Sequence, residues 1–299
     1  ASSAGNYGEF TTVEDGKLIM STNAAFPPYE MVADGEGAYQ GFDGIDIEIA
    51  VAIADKLGLE LVIDDMDFDA AQMAVQNNAA DVMLAGLSYS EERDENLDFT
   101  ESYATGIQVV IVPEGSEVTL DNVCEYMIGT QRGTTGFQYA TDDYGEEHVI
   151  GYDNGATAVQ ELINGTIDAV IIDNAPAQEY VAANPDAGLA LLDGAWVEED
   201  YCAAVDEGNT VLLEAINTAL NELISLVCNN IVEPEKQIIG IAHADAYEDS
   251  LYVMEGIQKH IKVRSFINTS YDFCTGSHVG PGALAMFYVA KEPWSSAIC

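Results

Sequence analysis

The sequence predicts an α/β fold built as two similar lobes, and three observations carry that reading. Short β-branched runs alternate with stretches of helical periodicity, the pattern of a largely parallel sheet covered by helices. The alternation occurs twice in succession, before and after about residue 105. With 299 residues, 48% of them hydrophobic, the chain can bury substantial cores despite a net charge of -43.

The elements follow in order. Residues 1–16, opening Ala-Ser-Ser-Ala-Gly-Asn-Tyr-Gly, read as a flexible small-residue leader. Such a start suits a mature exported protein or a lipoprotein trimmed just after its anchor cysteine. Residues 17–22 form an apolar strand that ends at Asn23-Ala-Ala-Phe-Pro-Pro-Tyr29, where two prolines forbid helix and inner strand and so predict a loop. From Gly44, the spacing of Ile45, Ile49, Ala52, Ile53 and Leu57 is helical up to the stop at Gly58, and residues 59–63 resume as a strand.

A helix over 67–78, a buried strand over 80–84 and a longer β-branched strand over 106–112 complete the first series. The second has a strand over 126–129, a helix opening at Gly133-Thr-Thr-Gly136, a helix over 156–164, a strand over 167–172, a helix over 175–183 and a strand over 187–192. Residues 201–205 then read as a strand and 211–227 as a long amphipathic helix.

Charge narrows the function classes. The first 234 positions carry four Lys or Arg beside 45 Asp or Glu, whereas five basic residues face seven acidic ones from Glu235 onward, so composition breaks near Pro234. A field this negative repels nucleic acid and anionic lipid, which bind through clustered cations. It favours solubility and is compatible with high external salt, which screens self-repulsion. The sequence contains no apolar run of 18 residues and no signal peptide with a basic start. Cys124, Cys202, Cys228, Cys274 and Cys299 match no metal spacing, and their odd number excludes complete internal pairing. No motif implies a metal, nucleotide or flavin, so no cofactor is expected.

Against this background Arg93 stands out. A rare cation in an acidic chain has an anion to hold, and a planar guanidinium matches a carboxylate bidentately. Gly86 and Ser88 lie just upstream and complete half of a carboxylate clamp. Its acidic neighbours Glu91, Glu92, Asp94 and Glu95 leave open a plain surface ion pair.

Several motifs then resemble, in order and spacing, the extracytoplasmic solute-binding proteins of polar amino-acid ABC transporters over residues 17–227. They are Phe26-Pro-Pro-Tyr29 with Glu30, Gly44-Ile-Asp-Ile-Glu-Ile-Ala50, Gly86-Leu-Ser-Tyr-Ser-Glu-Glu-Arg93 with Asp98-Phe-Thr-Glu-Ser-Tyr103, Arg132-Gly-Thr-Thr135, and Ile167-Asp-Ala-Val-Ile-Ile-Asp173. The resemblance implies a periplasmic-binding-protein-like (type II) fold: lobe 1 over about 17–105 and 200–230, lobe 2 over about 106–199, and a hinge of two crossings. It implies a receptor, not an enzyme, that closes on a free amino acid outside the membrane and hands it to an ABC permease.

On that reading Arg93 and Ser88 take the ligand carboxylate, with Thr134 and Thr135 reaching it from the other lobe at a helix start. Asp173 takes the ammonium, and Phe26 and Tyr29 stack on the side chain. The bland alternatives are an N-cap at Gly133-Thr-Thr, an N-cap at Asp173, and core roles for Phe26 and Tyr29. The family usually carries an acidic or polar residue where this chain has Asn23-Ala-Ala, which leaves side-chain preference open. An acidic ligand is disfavoured unless Arg132 turns inward, whereas a cationic one suits the negative field. The same fold also serves cyclohexadienyl dehydratases, for which Glu30 is the available acid.

Residues 236–291, with Ser277-His-Val-Gly-Pro-Gly282, resemble the C-terminal end of DegV-like fatty-acid-binding proteins and predict a small α/β appendage over 235–299. It comprises a strand beginning in 235–245, a helix to about residue 260, a strand over 263–268 and a glycine-rich turn. In that family the counterpart of His278 lies near the lipid carboxylate. Here the rest of the acyl tunnel is missing, so His278 reads as a remnant of a lipid site.

Overall fold

A computed structural model describes residues 7, 9–34, 38–194, 196–230, 238–243, 265–270 and 284–287. The chain divides into two compact units, Ala1–Asn217 and Thr218–Cys299.

The first unit holds both lobes. In chain order, lobe 1 begins with β1 (Lys17–Thr22), β2 (Ala25–Phe26), β3 (Glu30–Val32), β4 (Phe42–Asp43), α1 (Ile45–Leu57), β5 (Glu60–Asp65), α2 (Phe68–Gln76), β6 (Val82–Met83) and β7 (Leu97–Phe99). Helix α1 starts at Gly44 and stops at Gly58, whose φ of 72° only glycine adopts readily. The proline loop proves more ordered than expected: its flanks pair as β2 and β3, which with β4 make a three-stranded antiparallel sheet.

Lobe 2 consists of β8 (Ala104–Pro113), β9 (Ile128–Gln131), α3 (Thr135–Tyr144), β10 (Val149–Tyr152), α4 (Gly155–Ile163), β11 (Ala169–Asp173), α5 (Asn174–Ala183), β12 (Leu189–Leu191) and β13 (Val197–Tyr201). The chain then re-enters lobe 1 with β14 (Ala204–Asp206) and α6 (Thr210–Asn230). The lobe 1 sheet has the order β5-β1-β6-β14-β7, parallel at β5, β1 and β6, with β14 antiparallel between β6 and the edge strand β7. The lobe 2 sheet has the order β10-β9-β11-β8-β12, with β13 also on β8.

Each sheet has its own apolar core. Phe68, Val75, Met83 and Leu97 fill that of lobe 1, and Val110, Ile128, Ala140 and Ile171 that of lobe 2. Two crossings join the lobes, at residues 100–103 and 202–203. They are tied side by side by the Thr100 N–H on the Ala203 carbonyl at 2.9 Å and the Tyr103 N–H on the Tyr201 carbonyl at 2.9 Å. The expected single strand over 201–205 is therefore two strands in two sheets, because the run changes lobes at Cys202 and Ala203. The last residues of the expected leader are docked: the Val13 N–H donates to Asp81 Oδ1 at 2.7 Å.

The second unit contains the end of α6 and a three-stranded sheet of β15 (Ile238–His243), β16 (Ser265–Ser270) and β17 (Leu284–Phe287). Its order is β16-β15-β17, with β15 parallel to β16 and antiparallel to β17. The strands expected within 235–245 and over 263–268 correspond to β15 and β16. The helix to about residue 260, the glycine-rich turn and His278 lie outside the described residues, as does the composition break near Pro234.

Candidate functional site

The site is a cavity where the carboxyl ends of the parallel strands of both lobes meet, the usual ligand position in open α/β sheets. On the lobe 1 side, the turn after β6 bends at Gly86, whose φ of +53° is left-handed. This aims its N–H at Asp46 Oδ2, 2.8 Å away, and the same oxygen accepts from the Tyr103 hydroxyl at 2.8 Å. A methyl group on Gly86 would stand 2.6 Å from Phe26 Cε1, inside the ring's contact radius. Gly86→Ala is therefore expected to cost about 1–3 kcal/mol of stability in urea unfolding and to tilt Phe26 out of the cavity wall.

Arg93 opens a single 3-10 turn, Arg93–Glu95, and is 8% exposed. Nη1 donates to the Ser88 carbonyl at 2.5 Å and Nη2 crosses the cleft to the Gly133 carbonyl at 2.9 Å. Its guanidinium lies 5.6 Å from the centre of the Phe68 ring. Among the described residues no carboxylate oxygen comes within 4.0 Å of it, so the surface-ion-pair reading does not describe Arg93. Burial pulls its pKa down, against the opposing charge of Glu199.

The lobe 2 side is built on α3 and on the end of β11. Thr134 is the N-cap of α3: its hydroxyl accepts from the Phe137 N–H at 3.2 Å and donates to the Gln131 carbonyl at 2.8 Å. Thr134 thus lines the cavity with a hydroxyl already engaged in capping. The Thr135 hydroxyl donates to Glu199 Oε2 at 2.9 Å and lies 3.4 Å from Ser88 Oγ across the cleft. Asp173 closes β11 and precedes α5, but its side chain makes no cap bond. Instead Asp173 Oδ2 accepts from Gln108 Nε2 at 2.9 Å, and the same nitrogen donates to Glu199 Oε2 at 3.0 Å.

Burial raises the Asp173 pKa to about 7; the nearby Tyr201 hydroxyl and the hydrogen bond from Gln108 work against the rise, and the charge of Glu199 adds to it. No described cation forms an ion pair with Asp173. Further bonds join the lobes around the cavity, from Gln131 Nε2 to Asn23 Oδ1 at 3.0 Å and from the Tyr180 hydroxyl to the Ala25 carbonyl at 2.5 Å.

Of the residues singled out in the sequence, Phe26, Gly86, Ser88, Arg93, Thr134, Thr135 and Asp173 all line this one cavity. Tyr29 does not: it is 3% exposed and wedged between Phe26 and Tyr201, with ring centroids 5.8 and 5.0 Å away, which is the core role. Arg132 does not line the cavity and pairs with Asp153 at 2.5 Å. Sequence reasoning passed over Gln108, Glu199 and Phe68. Gln108 was detectable as the lone polar side chain in the apolar run Gly-Ile-Gln-Val-Val-Ile-Val, and Glu199 as an acid at an inward position of a strand.

Glu30, a motif residue and the acid available for the dehydratase alternative, also lines the cavity and is wholly buried. Its pKa is pushed well above the carboxylate range by burial first and by the neighbouring Asp46 second. Burial also raises Asp46, to about 6, held back by the hydrogen bonds from the Gly86 N–H and the Tyr103 hydroxyl.

Comparison with known proteins agrees with this geometry. Residues 18–226 match the model of bacterial extracellular solute-binding proteins, family 3. ABC transporter arginine-binding protein 1 of Escherichia coli K12 is 29% identical over 207 residues, covering 68% of this chain and 84% of its own. The crystal structure of the arginine-, lysine-, histidine-binding protein ArtJ from Geobacillus stearothermophilus superposes with a TM-score of 0.65 at 29% identity, over 70% of this chain and 90% of that one. An ancestral arginine-binding protein bound to glutamine gives a TM-score of 0.66 at 37% identity, over 71% and 93%. With a cavity of this design between two lobes and a family match over most of its length, the chain belongs to the bacterial extracellular solute-binding proteins, family 3.

Proposed function

We propose that the protein is an extracytoplasmic receptor that binds a free amino acid with a cationic side chain and delivers it to an ABC permease. One observation carries the binding chemistry. Arg93 and Asp173, each more than nine-tenths buried, line the same cavity, and neither has an oppositely charged protein partner among the described residues. A buried charge without a counter-charge is costly, and a zwitterion offers both counter-charges at once. The ligand carboxylate lies on Arg93 with Ser88 and the start of α3, and its ammonium on Asp173. The side chain runs past Phe26 and Phe68 towards Glu30.

Charge supports a cationic side chain. Glu30, Asp173 and Glu199 are all buried at or beside the cavity, whereas Arg93 is the one cation lining it among the described residues. The named relatives also favour it, being an arginine-binding protein and an arginine-, lysine-, histidine-binding protein. Thermal-shift measurements against the common amino acids check the reading. Arginine, lysine or histidine at a hundredfold excess over Kd is expected to stabilise the protein by about 2.7 kcal/mol. Stabilisation by glutamate or aspartate alone, or by none of the panel, counts against it.

A second reading has one observation in its favour: Glu30, held protonated in the cavity wall, is the kind of general acid that a cyclohexadienyl dehydratase needs. Its dicarboxylate substrate would ask for two cations where the cavity offers Arg93. Release of phenylpyruvate from prephenate would establish that activity, and its absence alongside tight amino-acid binding would exclude it. Non-enzymatic capture is the function that the cavity's chemistry supports best.

A further inference from the structure

Building on the cationic-side-chain reading, we propose that the proton held by the buried Glu30 carboxyl, beside Asp46, sets the side-chain selectivity of the cavity. With the proton in place the pocket takes neutral amide-type side chains; when the proton leaves, it takes cationic ones.

The geometry is that of a buried acid with neither a donor nor a cation among the described residues to hold its charge. Glu30 and Asp46 are both 0% exposed, and the Asp46 N–H donates to the Tyr29 carbonyl at 2.9 Å, which sets the two acids on neighbouring backbone. Asp46 Oδ2 already accepts from the Gly86 N–H and the Tyr103 hydroxyl, so the negative charge is stabilised there. Neither oxygen of Glu30 receives a donor from the described protein, so the hydrogen resides on Glu30. Glu30, and not Asp46, lines the cavity.

The groups that act on Glu30 are Asp46 from α1, Asp65 from β5, Tyr103 from the first crossing and Tyr180 from α5. All are anionic or neutral. Burial and these neighbours disfavour a second negative charge, and the positive charge that would allow Glu30 to ionise has to come from the ligand.

Two binding reactions follow. A guanidinium or ammonium placed against Glu30 needs the carboxylate, so the neutral acid and the cationic ligand combine and one proton leaves to solvent. A neutral ureido or carboxamide group donates its N–H to the carbonyl oxygen of the intact acid, whose O–H is retained, and no proton leaves. Asp173 meets the same α-ammonium in both reactions and cancels from their ratio. By linkage, preference for the cationic over the neutral ligand rises about tenfold for each pH unit while free Glu30 remains protonated.

The experiment is titration calorimetry of the full chain with L-arginine and its neutral isostere L-citrulline at pH 6, 7 and 8, citrulline being measured by displacement of arginine where its heat is small. The expected result is an arginine-to-citrulline affinity ratio that climbs about tenfold per unit. Buffers of different ionisation enthalpy should report close to one more proton released by arginine than by citrulline. Glu30→Gln should flatten the ratio and shift it towards citrulline. A flat ratio in the unmodified protein with both ligands bound overturns the proposal and leaves the amino-acid receptor standing. A slope that persists in Glu30→Gln also overturns it. Failure of arginine to bind at any pH overturns the ligand class as well. Should Glu30→Gln not fold, the ratio and the proton count of the unmodified protein decide alone.

Discussion

Arg93→Ala is expected to weaken amino-acid binding by about 2–5 kcal/mol, a factor of roughly thirty to several thousand in Kd, while the protein stays folded. The size follows from desolvation. Arg93 is 8% exposed, and the ligand carboxylate that replaces the water on its free N–H groups becomes an uncompensated buried charge once the guanidinium is gone. The fold should tolerate the change because the bonds lost are to two carbonyls, of Ser88 and Gly133, and both lie at the cleft instead of inside a core. Calorimetry gives the loss, and circular dichroism with a thermal melt establishes that the variant is folded. Arg93→Lys should recover part of the affinity, since a lysine supplies charge without the bidentate fork.

Asp173→Asn is expected to cost a comparable amount, about 2–5 kcal/mol, and to remove a pH dependence as well. In the free protein burial raises Asp173 from 3.8 to about 7. The ligand's ammonium needs the ionised form, so affinity should fall as pH drops below about 7, approaching tenfold per unit. For L-citrulline, which carries no side-chain cation, this step belongs to Asp173 alone and should vanish in Asp173→Asn. Stability of the free protein has the opposite sign. A carboxyl whose folded pKa is raised favours folding below its unfolded value, and this contribution is lost as pH rises from about 4 to about 7. Acid therefore stabilises the empty site through this group while it weakens the loaded one.

Much of the fold was legible because its elements obey simple periods. The helical spacing between Gly44 and Gly58 is reproduced by α1 within one residue at each end, since both glycines act as terminators. Two features escaped for physical reasons. Residues 201–205 look like one apolar strand, and nothing in their hydrophobicity reveals that the chain leaves one sheet and joins another at Cys202. Strand β10 (Val149–Tyr152) is four residues long and edges its sheet, too short for a period to register.

The site was legible where a residue contradicts its surroundings: an arginine among carboxylates, or an aspartate ending an apolar strand. It was less so where several roles share one residue type. Phe26 and Tyr29 flank the same pair of prolines, and only the fold shows that Phe26 lines the cavity whereas Tyr29 supports it from behind. Thr134 and Thr135 are adjacent, yet one hydroxyl caps α3 and the other bridges Glu199 and the Ser88 side of the cleft. Glu30 lies beside the proline loop in the sequence, and only the fold shows it wholly buried near Asp46, sixteen positions later and on another element.

The most direct test is a crystal structure of the protein grown with its tightest-binding amino acid. The expected density shows the α-carboxylate paired with the Arg93 guanidinium and the α-ammonium within hydrogen-bond distance of Asp173, with the side chain between Phe26 and Phe68 directed at Glu30. A ligand carboxylate bound away from Arg93, or an empty cavity at saturating amino acid, would contradict the assignment.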